Sequence, residues 1–194
     1  MKTILRPLLV MISLCGIVYL AKAPLKTYFE DPLATISQDY IYVLPAGLRM
    51  TRSHVTSIAD GDTISISGGE RVRFLSMDTP ELSHPDQNIR EECFGKAATL
   101  RLTQLIENKD VVLIRDVKDT DKYKRLLRYV FLPLPDRPDA YLNINAYMVG
   151  EGYARVFIVE EGTKYKDDFF AFEKAAREAK KGLWGSCDRS KFRW

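Results

Sequence analysis

Apolar and polar positions change pattern several times along the chain. Lys2 and Arg6 precede an uncharged run from Leu8 to Ala21. That run is shorter than the roughly 20 apolar residues of a membrane span and suits the apolar region of a signal peptide. Ala21-Lys22-Ala23 has the small-x-small form of a cleavage site, and Pro24 directly after it disfavours cutting. Residues 1–23 are therefore expected to be a signal peptide or an uncleaved signal anchor. Two other readings compete: a lipoprotein signal at Cys15, with Leu14 too bulky before it, and a buried N-terminal helix. Residues 24–50 hold Pro24, Pro32 and Pro45 with no sustained period, and read as a linker or capping segment.

From His54 onward the period shortens to that of strands. Val55 to Ile58 and Ile64-Ser65-Ile66 favour β structure, and Gly68-Gly69 turns the chain into Arg71-Val72-Arg73-Phe74-Leu75. Val111 to Ile114, Leu126 to Leu132 and Tyr153 to Val159 read as later strands. Helical spacing takes over in Phe94 to Asn108, where Ala98, Leu102, Leu105 and Ile106 share a face. It returns in a final stripe of Phe169, Phe172, Ala176, Ala179 and Leu183. Asp167 and Asp168 suit that helix's positive end, Lys180 and Lys181 its negative end, and Gly182 its C-cap. Five short strands with about three helices suggest an α+β fold, a five-stranded OB-like β-barrel, although periodicity alone leaves other α+β folds open. The domain is expected over residues 51–188, with 189–194 as a tail.

Composition narrows the function classes. The 194 residues include 29 basic and 26 acidic side chains, a net charge of +3. Lys2, Arg6 and Lys22 lie in the N-terminal segment, which has no acid, so the remainder is neutral, 26 against 26. Binding of nucleic acid by bulk positive charge is excluded on that count. Three cysteines are too few for a disulfide scaffold or a four-cysteine zinc site, and His54 and His84 lie thirty residues apart. Histidine-paired nuclease chemistry and classical zinc hydrolysis both lack support.

Three polar clusters remain. Asp60-Gly61-Asp62-Thr63 falls at a break between strands, and Arg73 to Glu81 runs from a strand into a Pro80-stopped loop. Asp121-Lys122-Tyr123-Lys124-Arg125 lies between two later strands. Taken singly they read as a turn, a strand end and a polar hairpin tip. If the first two strands pair, three or four carboxylates meet at neighbouring strand ends. Two carboxylates about 4 Å apart repel by about 1 kcal/mol in water and about 4 kcal/mol at an effective dielectric of about 20. A hard divalent cation removes that penalty, and an oxygen-only donor set suits Ca²⁺ over zinc.

DGDT, then R-x-x-x-x-DTPE, then DKY-x-R, in this order, resembles the staphylococcal nuclease (thermonuclease) family. The similarity continues through Leu142-Asn143-Ile144-Asn145-Ala146 and Gly152-Tyr153-Ala154-Arg155-Val156 to Leu183-Trp184, covering roughly residues 54–187. The resemblance implies an OB-fold nuclease that hydrolyses phosphodiesters of DNA and RNA with Ca²⁺. It implies Asp62, Asp78 and the Thr79 carbonyl as metal ligands, with Asp60 supporting them. Arg73 and Arg125 match the family's phosphate-binding arginines and Glu81 its catalytic glutamate, while Lys122 and Tyr123 match positions that hold a terminal phosphate. The chemistry is consistent: forked guanidiniums clamp phosphate oxygens, and a carboxylate orders or deprotonates water.

This chain departs from the family at the base-flanking tyrosines, which read Ile158 and Glu160, and at Lys124 and Leu126, which replace glycines. The expected consequence is altered affinity or base preference with the chemistry retained. Cys93 and Cys187 precede the first helix and follow the last, and in an exported protein a disulfide between them is expected; two unpaired thiols are the alternative.

An exported hydrolase, periplasmic, secreted or membrane-anchored, is thus the leading expectation. Its partners are DNA and RNA, with membrane contact through the N-terminal segment and no protein partner evident. A catalytically silent OB module binding single-stranded nucleic acid or a protein is the rival, and a tethered structural protein the third reading. Retention of both arginines, both aspartates and Glu81 argues against the silent module.

Overall fold

The computed structural model describes residue 33 and residues 36–83, 90–158 and 163–188. The expected signal segment, the C-terminal tail, His84 and Glu160 lie outside these residues. A 3-10 turn, Gln38–Tyr40, leads into strands β1 (Ile41–Val43), β2 (Thr51–Ile58), β3 (Thr63–Ile66), β4 (Arg71–Phe74) and β5 (Met77–Asp78). Helix α1 (Gly95–Ile106) and strands β6 (Asp110–Ile114), β7 (Leu126–Leu134) and β8 (Arg137–Asn143) follow. Helix α2 (Ile144–Gly150), strand β9 (Arg155–Val156) and helices α3 (Lys166–Glu178) and α4 (Leu183–Ser186) complete the order.

Five strands close on themselves. β2 pairs with β3, β3 with β4, β6 with β7 and β6 with β2, all antiparallel, and the parallel β4–β7 pair shuts the ring. Closure leaves none of the five with a free edge, which is the architecture of an OB-fold barrel. β2 serves two neighbours: Thr51 to His54 pair with β6, Val55 to Ile58 pair with β3, and the register slips between Val55 and Ser57. Such an extra residue bends a strand so that it can turn a barrel corner. Gly68 and Gly69, at φ 90° and 81°, make the β3–β4 turn in a conformation that side chains rarely adopt.

The barrel is filled by Val55, Ile64, Val72, Phe74, Val112, Tyr129 and Phe131, and α1 seats Ala98, Leu102, Leu105 and Ile106 against it. Asn145 joins the layers inside the core. Its Oδ1 accepts the Val130 amide at 2.8 Å, and its Nδ2 donates to the Leu75 carbonyl at 2.9 Å. Buried backbone groups need such partners, so one amide side chain on α2 fixes both β7 and the end of β4.

Several elements differ from the sequence expectation. Val159 lies outside the described residues; of Tyr153 to Ile158, only Arg155–Val156 forms a strand, pairing with β5 rather than joining the barrel. β8 and β1 extend the sheet beyond β7, and neither has a clear alternating signature. Tyr40, beside β1, is buried edge-on against Tyr147 and Phe172 and donates its hydroxyl to Glu151 at 2.8 Å. The last helical stripe is broken: Ala179 is exposed at the end of α3, and Lys180 takes a left-handed φ of 53°. Gly182 therefore precedes α4 instead of capping α3. The cause is a close approach, because Leu183 donates its amide to the Gly152 carbonyl at 2.8 Å and a Cβ on Gly182 would strike that carbonyl. Cys93 and Cys187 form a disulfide with Cα atoms 5.9 Å apart. Among the described residues no helix is long and apolar enough to cross a membrane.

Asn145→Ala leaves the Val130 amide and the Leu75 carbonyl buried without partners. Urea unfolding is expected to show a loss of about 2–4 kcal/mol. A loss below about 1 kcal/mol would show that Asn145 does not tie the layers together.

Candidate active site

The loop between β2 and β3 is built by its own side chains. Asp60 Oδ1 accepts the Asp62 amide at 3.0 Å, and Ala59 donates its amide to the Thr63 carbonyl at 2.9 Å. Gly61 is required by packing: a Cβ there would lie 2.8 Å from the Thr79 Cγ2 and Oγ1. The Asp62 carbonyl accepts the Phe74 amide at 2.9 Å, which fastens the loop to β4.

Asp62 is thereby buried, 7% exposed, and its carboxylate is fully engaged. Oδ1 accepts from the Thr63 hydroxyl at 3.0 Å, and Oδ2 accepts the Thr79 amide at 3.1 Å and its hydroxyl at 3.2 Å. Arg73, on β4, lies between Asp62 and Asp78. Its Nη1 contacts Asp62 Oδ2 and its Nη2 donates to Asp78 Oδ1 at 2.6 Å. A charge pair this enclosed is stable only when every partner is present. Asp78 is also held from the other side by Arg155, whose Nη2 and Nε donate to Oδ2 at 2.7 and 3.2 Å. The antiparallel β5–β9 register sets Asp78 directly opposite Arg155.

Arg125 comes from the turn before β7. Its Nε donates to Asp121 Oδ2 at 2.7 Å, and its Nη1 reaches the Thr63 hydroxyl at 3.5 Å, bringing it to the rim of the aspartate loop. Lys124 takes φ 63° in this turn. A left-handed lysine costs roughly 1–2 kcal/mol that a glycine would not, so the turn geometry is kept at some strain. Asp121 offsets the strain by accepting the amides of Tyr123 and Arg125, each at 2.9 Å. A cleft of about 440 Å³ opens beside these groups, with Arg73, Lys122, Tyr123, Arg125 and Phe157 among its lining. Tyr123 is 68% exposed, flanked by Lys122 Nζ at 4.9 Å and the Arg125 guanidinium at 5.4 Å from its ring centre.

Glu81 stands past Pro80 and is exposed. Desolvation raises its pKa above the ordinary glutamate value, and the negative charges of Asp60 and Asp78 add to that while Arg73 opposes it. The Asp60 carboxyl is likewise raised by burial, against the pull of Arg73 and Arg125. The structure thus gathers Asp60, Asp62, Asp78, Thr79, Arg73 and Arg125 at one end of the barrel, with Lys122 and Tyr123 on the adjoining cleft.

Three contributors escaped the sequence reading. Asp121 was legible as a carboxylate four residues before Arg125. Arg155 was not, because its contact with Asp78 requires the β5–β9 pairing. Phe157 is 43% exposed on the cleft, while Ile158 beside it is half-buried, so the aromatic surface lies one residue away from the aligned tyrosine position.

Similarity to known proteins identifies the family. Residues 71–186 match the family model described as staphylococcal nuclease homologue. The chain belongs to the staphylococcal nuclease family. It is 34% identical over 138 residues to a protein named micrococcal nuclease from Shigella flexneri, covering 69% of this chain and 73% of that one. It is 35% identical over 130 residues to a protein named thermonuclease from Staphylococcus intermedius, covering 66% and 70%. An uncharacterised protein of Bacillus anthracis is 35% identical over 143 residues; the match takes in 71% of this chain but only 63% of that relative.

Membership implies a cation, and the donors can be tested against it. Asp62 and Asp78 are carboxylates held adjacent through one guanidinium, and oxygen donors of this kind fit a hard divalent ion. Their charge is balanced here by Arg73 and Arg155, and among the described residues no group of three His, Cys, Asp or Glu side chains converges as a cation site.

Asp121 gives a stability prediction. Burial raises its pKa, but the Arg125 amide, the Arg125 guanidinium and the Tyr123 amide outweigh it and hold the carboxyl below its ordinary 3.8. A depressed folded pKa adds stability above the unfolded value, and that stability is lost as pH falls through the folded value. Unfolding of wild type and Asp121→Asn is expected to show a gap at pH 7 that closes as pH drops below about 4. A gap independent of pH would show that the ion pair contributes nothing.

Proposed function

We propose that the chain is an exported, Ca²⁺-dependent nuclease that hydrolyses phosphodiester bonds of DNA and RNA. One observation carries this reading. Arg73, Arg125, Glu81 and the aspartates Asp62 and Asp78 meet at one end of the barrel, beside a cleft that presents Lys122 and Tyr123. A silent binding module has no use for two aspartates bridged by a largely buried arginine with a second arginine at their rim, whereas hydrolysis of an anion uses both kinds of group.

Within that reading, the guanidiniums of Arg73 and Arg125 bind the non-bridging oxygens of the scissile phosphate, where negative charge grows as water attacks in line, and Arg73 exchanges its contacts with Asp62 and Asp78 for the phosphate. Glu81 accepts a proton from the attacking water. The new bond joins the water oxygen to phosphorus, and the bond from phosphorus to the leaving oxygen breaks. Lys122 and Tyr123 hold a neighbouring phosphate. Asp62, Asp78 and the Thr79 carbonyl would hold the cation, which supplies Lewis-acid stabilisation of phosphate charge. Export is supported by the apolar N-terminal run and by the Cys93–Cys187 disulfide, a bond that persists in oxidising compartments.

The full-length chain, assayed on single-stranded DNA, duplex DNA and RNA, is expected to cut with Ca²⁺ and to stop in excess EGTA. Arg125→Ala and Glu81→Gln are each expected to lower kcat by about 10²-fold or more. A folded wild-type chain that cuts nothing with Ca²⁺ would overturn the proposal and leave nucleic-acid binding as the property to measure.

A further inference from the structure

Glu81 lies on a segment that belongs to neither strand nor helix, so its position must be fixed by something other than the barrel ladders. The described contacts show what does it. Glu81 donates its amide to Glu92 Oε2 at 3.1 Å, and Glu92 donates its own amide back to the Glu81 carbonyl at 2.9 Å. This reciprocal pair joins the catalytic segment to the residues just before α1. Gly95 closes the contact from below: a Cβ there would lie 2.6 Å from the Glu81 carbonyl oxygen and 2.9 Å from that of Pro80. Only the absence of a side chain lets α1 begin against the Glu81 backbone.

Glu92 is in turn anchored through its neighbour. Cys93 is bonded to Cys187 at the end of α4. α4 is fixed to the domain by buried Leu183 and Trp184, which pack with Ala176, Phe94 and Cys187, and by the Leu183 amide on the Gly152 carbonyl at 2.8 Å. Phe94 is held in a left-handed conformation, φ 78°, with its ring 5.6 Å from Tyr153. A continuous mechanical path therefore runs from the packed C-terminal helix through the disulfide to Cys93, Glu92 and the Glu81 backbone.

We propose that Glu92 is a positioning residue for Glu81, and that the Cys93–Cys187 disulfide holds Glu92 in place, so that full catalytic rate requires the disulfide-bonded form. The inference rests on the nuclease reading for its activity readout. Its chemistry is a thiol–disulfide exchange: a dithiol reductant gives two electrons and two protons, the Cys93–Cys187 bond becomes two thiols, and the reductant becomes a disulfide. Once reduced, residues 90–93 lose their covalent anchor, and the carboxylate that serves the water no longer has a fixed backbone. Substrate affinity is set elsewhere, by Lys122 and Tyr123, so kcat is the constant that moves. A displacement of about 1 Å in a catalytic group is enough to cost on the order of 10²-fold.

The test uses the full-length chain and a short single-stranded oligonucleotide with Ca²⁺, below the melting temperature of every form compared. Glu92→Ala is expected to lower kcat by about tenfold or more, with KM changed less than about twofold. Glu92→Gln keeps an oxygen acceptor for the Glu81 amide and is expected to rescue most of that loss. Treatment with dithiothreitol should lower wild-type kcat in the same way, reoxidation should restore it, and Cys93→Ser with Cys187→Ser should be low throughout. A second readout needs no activity: amide hydrogen exchange at Glu81 should quicken in Glu92→Ala and in the reduced chain, while exchange at Val130 in the core stays slow. Unchanged kcat in Glu92→Ala, or a reduced chain as active as the oxidised one, would overturn the proposal. If wild type cuts nothing, the nuclease reading falls, and the Glu81 exchange rates still decide whether the clamp exists.

Discussion

Arg73 between Asp62 and Asp78 is the contact around which this end of the barrel is arranged. Burying a carboxylate without a counter-charge would cost several kcal/mol, so the aspartate loop, β4 and β5 can meet only where a guanidinium stands between them. The arrangement reaches outward through hydrogen bonds. The Asp62 carbonyl accepts from Phe74, which locks the loop to β4, and Asp62 accepts from Thr79, which draws in the segment leading to Glu81. Asp78 recruits Arg155 and with it the short β5–β9 sheet. Asp62, Arg73, Asp78 and Arg155 are therefore each oriented by the charge of another.

The barrel makes the meeting possible. Closing through the parallel β4–β7 pair puts the turn that carries Arg125 alongside the β2–β3 loop, although the two are far apart in sequence. The helices hold the frame from outside: Asn145 on α2 spans two strands, α1 seals the barrel interior and begins against the Glu81 backbone, and α3 sends Glu173 to accept the Val156 amide at 2.9 Å. That last bond steadies β9, and so the arginine that faces Asp78. Function-bearing loops here are positioned by rigid elements behind them, which is how a small barrel holds a charged site at its surface.

Much of this was legible from local pattern. Val55, Ile64, Val72 and the α1 face are buried as their spacing requires, and the three polar clusters fall at strand ends, where the chain must turn. The misreadings share one cause. Gly182 looked like a helix cap, but its lack of a side chain serves a close approach to Gly152, two elements away. Lys124 stands in a left-handed conformation that a glycine adopts without strain, and the hydrogen bonds that offset the cost come from Asp121. β1 and β8 carry little alternation because their pairing, rather than a two-faced pattern, places them.

By itself the sequence determined which chemistry was available: oxygen ligands without paired histidines, forked cations, one glutamate past a proline, and two cysteines bracketing the helices. Composition and spacing suffice for that, because side-chain chemistry is a property of each residue. Only the tertiary structure decided which charges neutralise which. That Arg73 is shared by two aspartates, that Arg155 backs Asp78, and that Glu92 clasps Glu81 depend on strand register and on a disulfide spanning 94 residues. Coulomb energies and hydrogen bonds are fixed by separations of a few ångströms, and those separations exist only once the barrel has closed.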